Sequence, residues 1–204
     1  MRARGDFRPD AHAAEPQWDH VPYAGFDLGH RNAGPAEPDR HTACRILWTP
    51  SFLYLRFDCR YRTLTLFDRS AAGPGGRLMG VWKRDVAEAF IQPDPSHPHI
   101  YREFDIAPNG LWIDLAIGSH DPSWRSDART SAAISPTHHT WRAEWAIPMR
   151  SLAADDSEYR AQPGAIWRLN LFRQEGLPKD SFEWSVSGAP TFHIPARFGY
   201  LVFR

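Results

Sequence analysis

The sequence predicts an all-β chain: an antiparallel β-sandwich, jelly-roll-like, in a single domain. Three observations carry this. About eight to ten short runs alternate apolar and polar side chains with the period of two that marks a half-buried strand. Turn residues punctuate the chain throughout, and no stretch has the periodicity of a long amphipathic helix. Asn109-Gly110 stands between two alternating runs, the strongest short signal for a hairpin. At 204 residues the chain is long enough to bury a sizeable core. No repeat or linker divides it.

Residues 1–17 are polar and rich in Ala and Pro, and they are expected to form a disordered tail ahead of a sandwich domain over 18–204. Between 18 and 41, Trp18, Tyr23 and Phe26 lie among Gly, Pro and charges, as in an irregular segment packed onto the domain by its aromatics. Thr42–Thr49 reads as a strand, Pro50-Ser51 as a turn, and Phe52–Tyr61 as the next strand. Leu53, Leu55, Phe57 and Cys59 share one face of that strand; Phe52, Tyr54, Arg56, Asp58 and Arg60 share the other. Residues 64–79 form a glycine-rich loop. Its GPGGR lacks the Lys-Ser/Thr pair and following helix of a phosphate loop. Asp85–Ile91 alternates. Ile100–Ala107 and Leu111–Ile117 pair over Pro108-Asn109-Gly110. A polar stretch follows, with a short strand at Thr130–Ile134, then an alternating strand at Trp141–Ile147 that Pro148 ends. After one helical turn at most come strands at Ala165–Gln174 and Phe182–Val186, and Arg197–Arg204 closes the chain beside an early strand.

Lys plus Arg and Asp plus Glu number 24 each, so the formal net charge is zero. Nucleic acid and anionic membranes call for a concentrated positive field, and neither is expected as a partner. No apolar run approaches the roughly 20 residues of a membrane span. The opening MRARGDFRPDAHAAEP has no apolar signal core, which implies a cytoplasmic chain as given, or a secreted one if the N-terminus is truncated. Cys44 and Cys59 fall on the two arms of one expected hairpin. A bridge there is geometrically open, and two reduced core thiols are the plainer reading.

The nine Trp are the compositional outlier, since indole suits cores and ligand-stacking platforms equally. Trp48, Trp112, Trp141, Trp145 and Trp167 sit inside alternating strands and are expected in the core. Trp82, followed by Lys83, Arg84 and Asp85, fits a loop-to-strand edge. Trp184 lies between Glu183 and Ser185, and Trp124 in a polar loop could be a third platform. Glu88 shares a strand face with Val86 and Phe90, while Glu103 and Asp105 share one with Tyr101; Asp114 could extend that polar face. A buried carboxylate on such a face needs a partner, and Arg102, Arg168 or Arg173 could supply it, or a ligand could. A Trp ring beside carboxylates can hold a sugar, the ring covering the axial hydrogens and the charged groups taking the hydroxyls. The histidines form no zinc motif: His97 and His99, with Asp94, and the pair His138-His139 read as solvated loops. Asp155-Asp156 lacks the glycine and spacing of an EF-hand.

In order, LYLRFDC, VWKRDVAEAFIQPD, YREFDIAPNGLWIDL, WRAEWAIPMRSL, PGAIWRLNLFRQE, EWSVSG and FHIPARFGYLVF resemble the family 9-like carbohydrate-binding modules, over about residues 40–204. The resemblance implies a β-sandwich without catalysis, in which two Trp rings clamp a mono- or oligosaccharide end and polar side chains take its hydroxyls. In that comparison Trp82 looks like the first clamp ring, in the pattern V-W-x-x-D-x-x-E; Glu88 is similar to the ligand-binding acid and Trp184 to the second ring. Glu103 and Asp105 fall where well-described members carry Arg and Asn, and Arg173 near a position used for an amide. The resemblance further implies xylan or cellulose as the source of ligand and a separate glycoside hydrolase as a possible partner. No cofactor is required, and a structural Ca2+ is possible. Two alternatives stay open: hydrolysis by Glu88 with Glu103 or Asp105, and a b-type haem held by Met79, Met149 and histidines.

Overall fold

The computed structural model describes residues 1–26, 37–119, 121, 123–153, 157–177 and 179–204. Among these, eleven strands are linked by loops and three-residue 3-10 turns. They are β1 (Tyr23–Phe26), β2 (Thr42–Trp48), β3 (Phe52–Arg60), β4 (Val86–Gln92), β5 (Tyr101–Ile106), β6 (Trp112–Ile117), β7 (Arg129–Ser135), β8 (Thr140–Pro148), β9 (Ile166–Glu175), β10 (Asp180–Glu183) and β11 (Gly199–Val202). One sheet runs β1-β2-β3-β8-β7; the other runs β10-β9-β4-β5-β6, with β11 also on β9. Every strand pairing is antiparallel. The expected sandwich is the observed fold.

Period two decides what faces inward. Leu53, Leu55, Phe57 and Cys59 of β3 meet Ala87, Ala89 and Ile91 of β4 and Leu169 and Leu171 of β9 in one buried cluster. Burying each of the larger aliphatic or aromatic side chains contributes about 1.5–3 kcal/mol. Trp48, Trp112, Trp141, Trp145 and Trp167 are all buried there, as their strand positions predict. Edge-to-face contacts order the cluster: Trp112 on Trp145 at 5.4 Å and Phe104 on Trp145 at 5.5 Å between ring centroids. The hairpin turn closes with the Gly110 N–H donating to the Ala107 carbonyl at 2.9 Å, and Gly110 takes φ +82°, where a side chain is strained. Cys44 lies opposite Phe57 and Cys59 opposite Thr42, so the thiols are diagonal neighbours on the ladder. Both are free and buried, and burial pushes the Cys59 thiol up to about 12.

Two segments depart from the sequence reading. The first residues are seated on the sandwich rather than forming a loose tail. The Ala3 N–H donates to the Trp48 carbonyl at 2.8 Å, and the Phe7 ring stacks on Tyr54 at 4.0 Å. The Ala11 N–H donates to the Ser131 hydroxyl at 2.9 Å. The reason is apolar area: Leu47, Tyr54 and Ala146 form a patch on the outer face of the first sheet, which Trp18, Val21 and Phe7 cover. The last strand, β11, pairs with β9 and not with an early strand. The two residues after it reach back to β2: Phe203 meets Trp48 edge-on at 5.3 Å, and the Trp48 indole N–H donates to the Arg204 carbonyl at 3.0 Å.

Candidate functional site

The outer face of the second sheet carries the chemistry. Ala87, Ala89 and Ile91 take the inner face of β4, which turns Val86, Glu88 and Phe90 outward. The ladder sets Glu88 directly opposite Asp105 on β5 and opposite Phe172 on β9, with Glu103 opposite Phe90. Two apolar clusters cover most of this face. One holds Phe90, Tyr101, Phe172, Phe192 and Phe198; the other holds Val81, Val86, Leu111 and Ile113, with Trp82 and Leu115 packed on it. Both contribute walls to a cavity of about 460 Å3. Trp82, Phe90, Leu115, Ile117 and Phe192 give its apolar lining, and Glu88, Glu103, Gln174, Lys179, Ser181 and His193 its polar lining.

Trp82 is held by a short turn, Val81–Lys83, entered through Gly80 at φ +83°, a conformation that favours glycine. The anchor of the turn is Asp85, which is fully buried. Its carboxylate accepts the Thr65 N–H at 2.9 Å and the Gly176 N–H at 3.1 Å, and lies 3.5 Å from Arg173. The acid three residues after Trp82 therefore fixes the ring's base, while Glu88 faces the cavity. The Lys179 ammonium donates to the Trp82 carbonyl at 3.3 Å, from the rim.

The carboxyls are the unusual part. Glu88, Glu103 and Asp105 are 2%, 5% and 0% exposed. Glu88 Oε1, Glu103 Oε2 and both Asp105 oxygens have no hydrogen-bond donor when all three are ionised. Burial, then the charge of Glu103, pushes Glu88 up to about 8, against the opposing pull of the Gln174 amide. Burial pushes Glu103 up to about 7, offset in part by a hydrogen bond with Asp105. Asp105 is raised well above the usual carboxylate range by burial and by the charges of Glu103 and Glu88. Near neutrality the trio therefore retains protons, and a protonated Asp105 donates to Glu103. The nearby basic groups are Lys179 and His193. The His193 Nδ1 lies 4.0 Å from Glu103 Oε2, is hydrogen-bonded to the Tyr101 hydroxyl, and belongs to a ring stacked on Phe90 at 5.2 Å. Burial lowers its pKa, which disfavours the charged form.

Of the site residues expected from sequence, Trp82, Glu88 and Glu103 line one cavity, and Asp105 lies beneath them beside Glu88. Arg173 does not join them. It continues the inward row Trp167, Leu169, Leu171 and lies over the Trp141 ring at 4.9 Å, paired with Glu175 at 3.3 Å and Asp85 at 3.5 Å. A guanidinium on the core face is tolerable because those carboxylates accompany it. Trp184 does not face Trp82 either: it packs on the core cluster and against Gly199 of β11, where an added Cβ would sit 2.5 Å from the indole. Asp114 shares the face of Trp112, not that of Glu103, and is bound by Arg77 and by the Ser126 N–H at 2.8 Å. The Arg102 guanidinium lies over the Trp124 ring at 4.9 Å, and Arg168 donates to the Phe198 carbonyl at 2.8 Å. Sequence reasoning missed Gln174, Lys179, Ser181 and His193. For Gln174 the signal existed, since it alternates with inward Leu171 and Arg173; Ser181 lies opposite it on β10, a strand too short to show a period, and Lys179 and His193 sit in loops.

A larger cavity of about 640 Å3 lies on the outer face of the first sheet. Its guanidiniums converge on Asp58: Arg45 at 2.7 Å, Arg142 at 3.0 Å and Arg56 at 3.1 Å. Its carboxylate is thus fully engaged and its guanidiniums are in excess, whereas the smaller cavity sets unpaired acceptors beside an indole, and the smaller one is therefore the candidate. Among the described residues no three His, Cys, Asp or Glu side chains converge as metal ligands. Asp155 and Asp156 lie outside the described residues. Met79 is 68% exposed and Met149 is buried in the core cluster, so neither contributes to this cavity.

The layered topology defines the class: a β-sandwich with the fold of the family 9 carbohydrate-binding modules. Such a module from Caldicellulosiruptor kristjanssonii, solved in complex with cellotriose, superposes with a TM-score of 0.69 at 12% identity, covering 100% of this chain and 94% of that one. The glucose complex gives 0.67 at 11% identity, covering 100% and 95%. A Bacteroides uniformis protein named for inferred carbohydrate binding gives 0.75 at 16% identity, covering 100% and 96%. In sequence, a protein of Arthroderma benhamiae named "Extracellular protein" is 25% identical over 190 residues, 82% of this chain and 80% of that protein. No family model matches the sequence.

Proposed function

We propose that this chain binds a carbohydrate without transforming it, in the cavity on the outer face of β4, β5 and β9. The observation that carries the reading is Trp82 beside the orphan oxygens of Glu88 and Glu103 in one 460 Å3 space. A pyranose ring laid on the indole would lose apolar area to it, and its hydroxyls would donate to Glu88 and Glu103. Gln174, Ser181 and His193 supply further polar contacts at the wall. The fold shared with modules solved on glucose and cellotriose supports the same reading. With one ring, not two, the expected affinity is about micromolar to millimolar. The name of the Arthroderma benhamiae relative supports a ligand met outside the cell.

A titration of Trp fluorescence against glucose, cellobiose, xylose and xylobiose tests this. A saturable change is expected, lost in a folded Trp82→Ala variant and retained in Trp184→Phe. No saturable response to any sugar would overturn the reading. One observation favours hydrolysis as a second reading: a protonated Glu88 beside a second carboxyl resembles an acid and base pair. Release of aryl alcohol from aryl glycosides, absent in Glu88→Gln, would establish it.

A further inference from the structure

We infer that this cavity selects a cationic sugar, an amino sugar whose free ammonium lies against Glu88 and Glu103. The inference rests on the sugar-binding reading above and names its ligand class. Its basis is a trio of buried carboxyls that the fold gathers on one face and leaves with unpartnered oxygens. Residues directly opposite on an antiparallel ladder have Cβ atoms about 5 Å apart, and like charges there are unfavourable. Glu88 and Asp105 are such a pair, and Glu103 sits two residues along on the same face.

The basic side chains nearest this trio are engaged with other groups. Arg173 is committed to Asp85 and Glu175 on the other side of the sheet. Arg102 lies over Trp124 and donates to the Ser151 carbonyl. Arg168 is bound to the Phe198 carbonyl. Lys179 lines the cavity from its exposed rim, where its charge lowers Glu88 and Asp105 without bringing either back to the usual carboxylate range, and it donates to the Trp82 carbonyl. His193 is engaged with the Tyr101 hydroxyl, which also faces Glu103, and burial favours its neutral form. Among the described residues, no lysine or arginine is within ion-pair distance of these carboxyls, and their orphan oxygens remain open to a ligand's cation.

A neutral sugar hydroxyl can satisfy an orphan acceptor, but it brings no counter-charge, so the carboxyls keep their protons. An ammonium brings three donors, no acceptor and one positive charge, so it meets Glu88 Oε1 and Glu103 Oε2 and favours their ionised form, with loss of a proton. The indole face of Trp82 adds a second attraction for a cationic ring. N-acetylation removes this charge while keeping the sugar, which makes it the decisive comparison.

The test is calorimetry on the full chain at about pH 7, where Glu103 gives up its proton at little cost and Glu88, at about 8, still holds one, with four probes. These are glucosamine, glucose, N-acetylglucosamine and methylammonium. Glucosamine should bind about tenfold tighter than glucose or more, as a charge-assisted hydrogen bond in place of a neutral one allows. N-acetylglucosamine should bind no tighter than glucose, and methylammonium far more weakly than glucosamine. Repeating the titration in buffers of different ionisation heat should show a proton released with glucosamine and none with glucose. Glu103→Gln and Glu88→Gln should each bring the glucosamine-to-glucose ratio towards one. Equal affinity for glucosamine and glucose would overturn the inference and leave sugar binding standing. Methylammonium binding as tightly as glucosamine would overturn it too, since the sugar would then contribute nothing. Failure of every sugar would remove both readings.

Discussion

Replacing Glu88 with Gln should stabilise the protein, and by an amount that grows with pH. Glu88 is 2% exposed, opposite Asp105, and its pKa rises from 4.5 to about 8 through burial and the charge of Glu103. Between those values the folded chain holds the proton while the unfolded chain has released it. Raising the pH through that window therefore destabilises the fold, with no effect below 4.5 and the full effect above about 8. At 1.36 kcal/mol for each pH unit, the full effect is at most about 5 kcal/mol. Gln has the shape of the protonated acid and cannot ionise, so the variant should lack this part of the pH dependence. Loss of the Glu88 charge also relieves Asp105, whose raised pKa owes part of its shift to it. Urea melts of both proteins at about pH 5, 7 and 9 read the difference directly. The variant should match the parent at the lowest pH and exceed it by roughly 2–4 kcal/mol at the highest. A gap that stays constant with pH, or a variant less stable at the highest pH, would refute the reasoning.

Substituting Arg173 with Met strands Asp85 and Glu175 in the core; urea melts should show a loss of about 3–5 kcal/mol. Sugar affinity of the milder Arg173→Lys variant, wherever it stays folded, should equal that of the parent. Gly199→Ala drives a methyl into the Trp184 ring; thermal unfolding should show a loss of about 1–3 kcal/mol, with a changed Trp emission. Phe7→Ala uncovers Tyr54 and should cost about 2–4 kcal/mol in the same melts, a result a disordered N-terminus would not give.

The strand layout was legible because β3, β4, β5, β8 and β9 alternate cleanly, and because Asn109-Gly110 fixes its hairpin. Glu88 and Glu103 could be placed together for the same reason, since the ladder carries their parity across strands, while Trp82, in the turn before β4, was placed by its spacing from Glu88 in the family's pattern. Arg173 shows how chemistry can mislead. Its parity with Leu169 and Leu171 already put it inward, but a lone guanidinium among core residues reads as implausible until Asp85 and Glu175 are seen beside it. Trp184 lies just beyond β10, where alternation stops, and its neighbours Glu183 and Ser185 suggest exposure. What decides its place is Gly199, some fifteen residues on, whose missing side chain leaves room for the ring. The N-terminal segment was misread because composition reports what a segment can bury by itself. Phe7 and Ala11 instead complete a patch built by Tyr54 and Leu47, a partnership between distant parts of the chain.

The two chain ends meet at one residue. The Trp48 backbone N–H donates to the Met1 carbonyl at 3.1 Å, and its indole N–H donates to the Arg204 carbonyl at 3.0 Å. Neither terminal segment lines the Glu88 cavity. A tether on either end would leave from the same spot, so the protein can be immobilised on a bead, a sensor surface or a fused neighbour without blocking the mouth beside Trp82. Joining the two ends by a short peptide would close the chain into a ring, and the backbone could then be reopened in an exposed loop. Moving the point of attachment in that way, around a cavity that stays as it is, would let the direction in which the site is presented be chosen independently of the site itself.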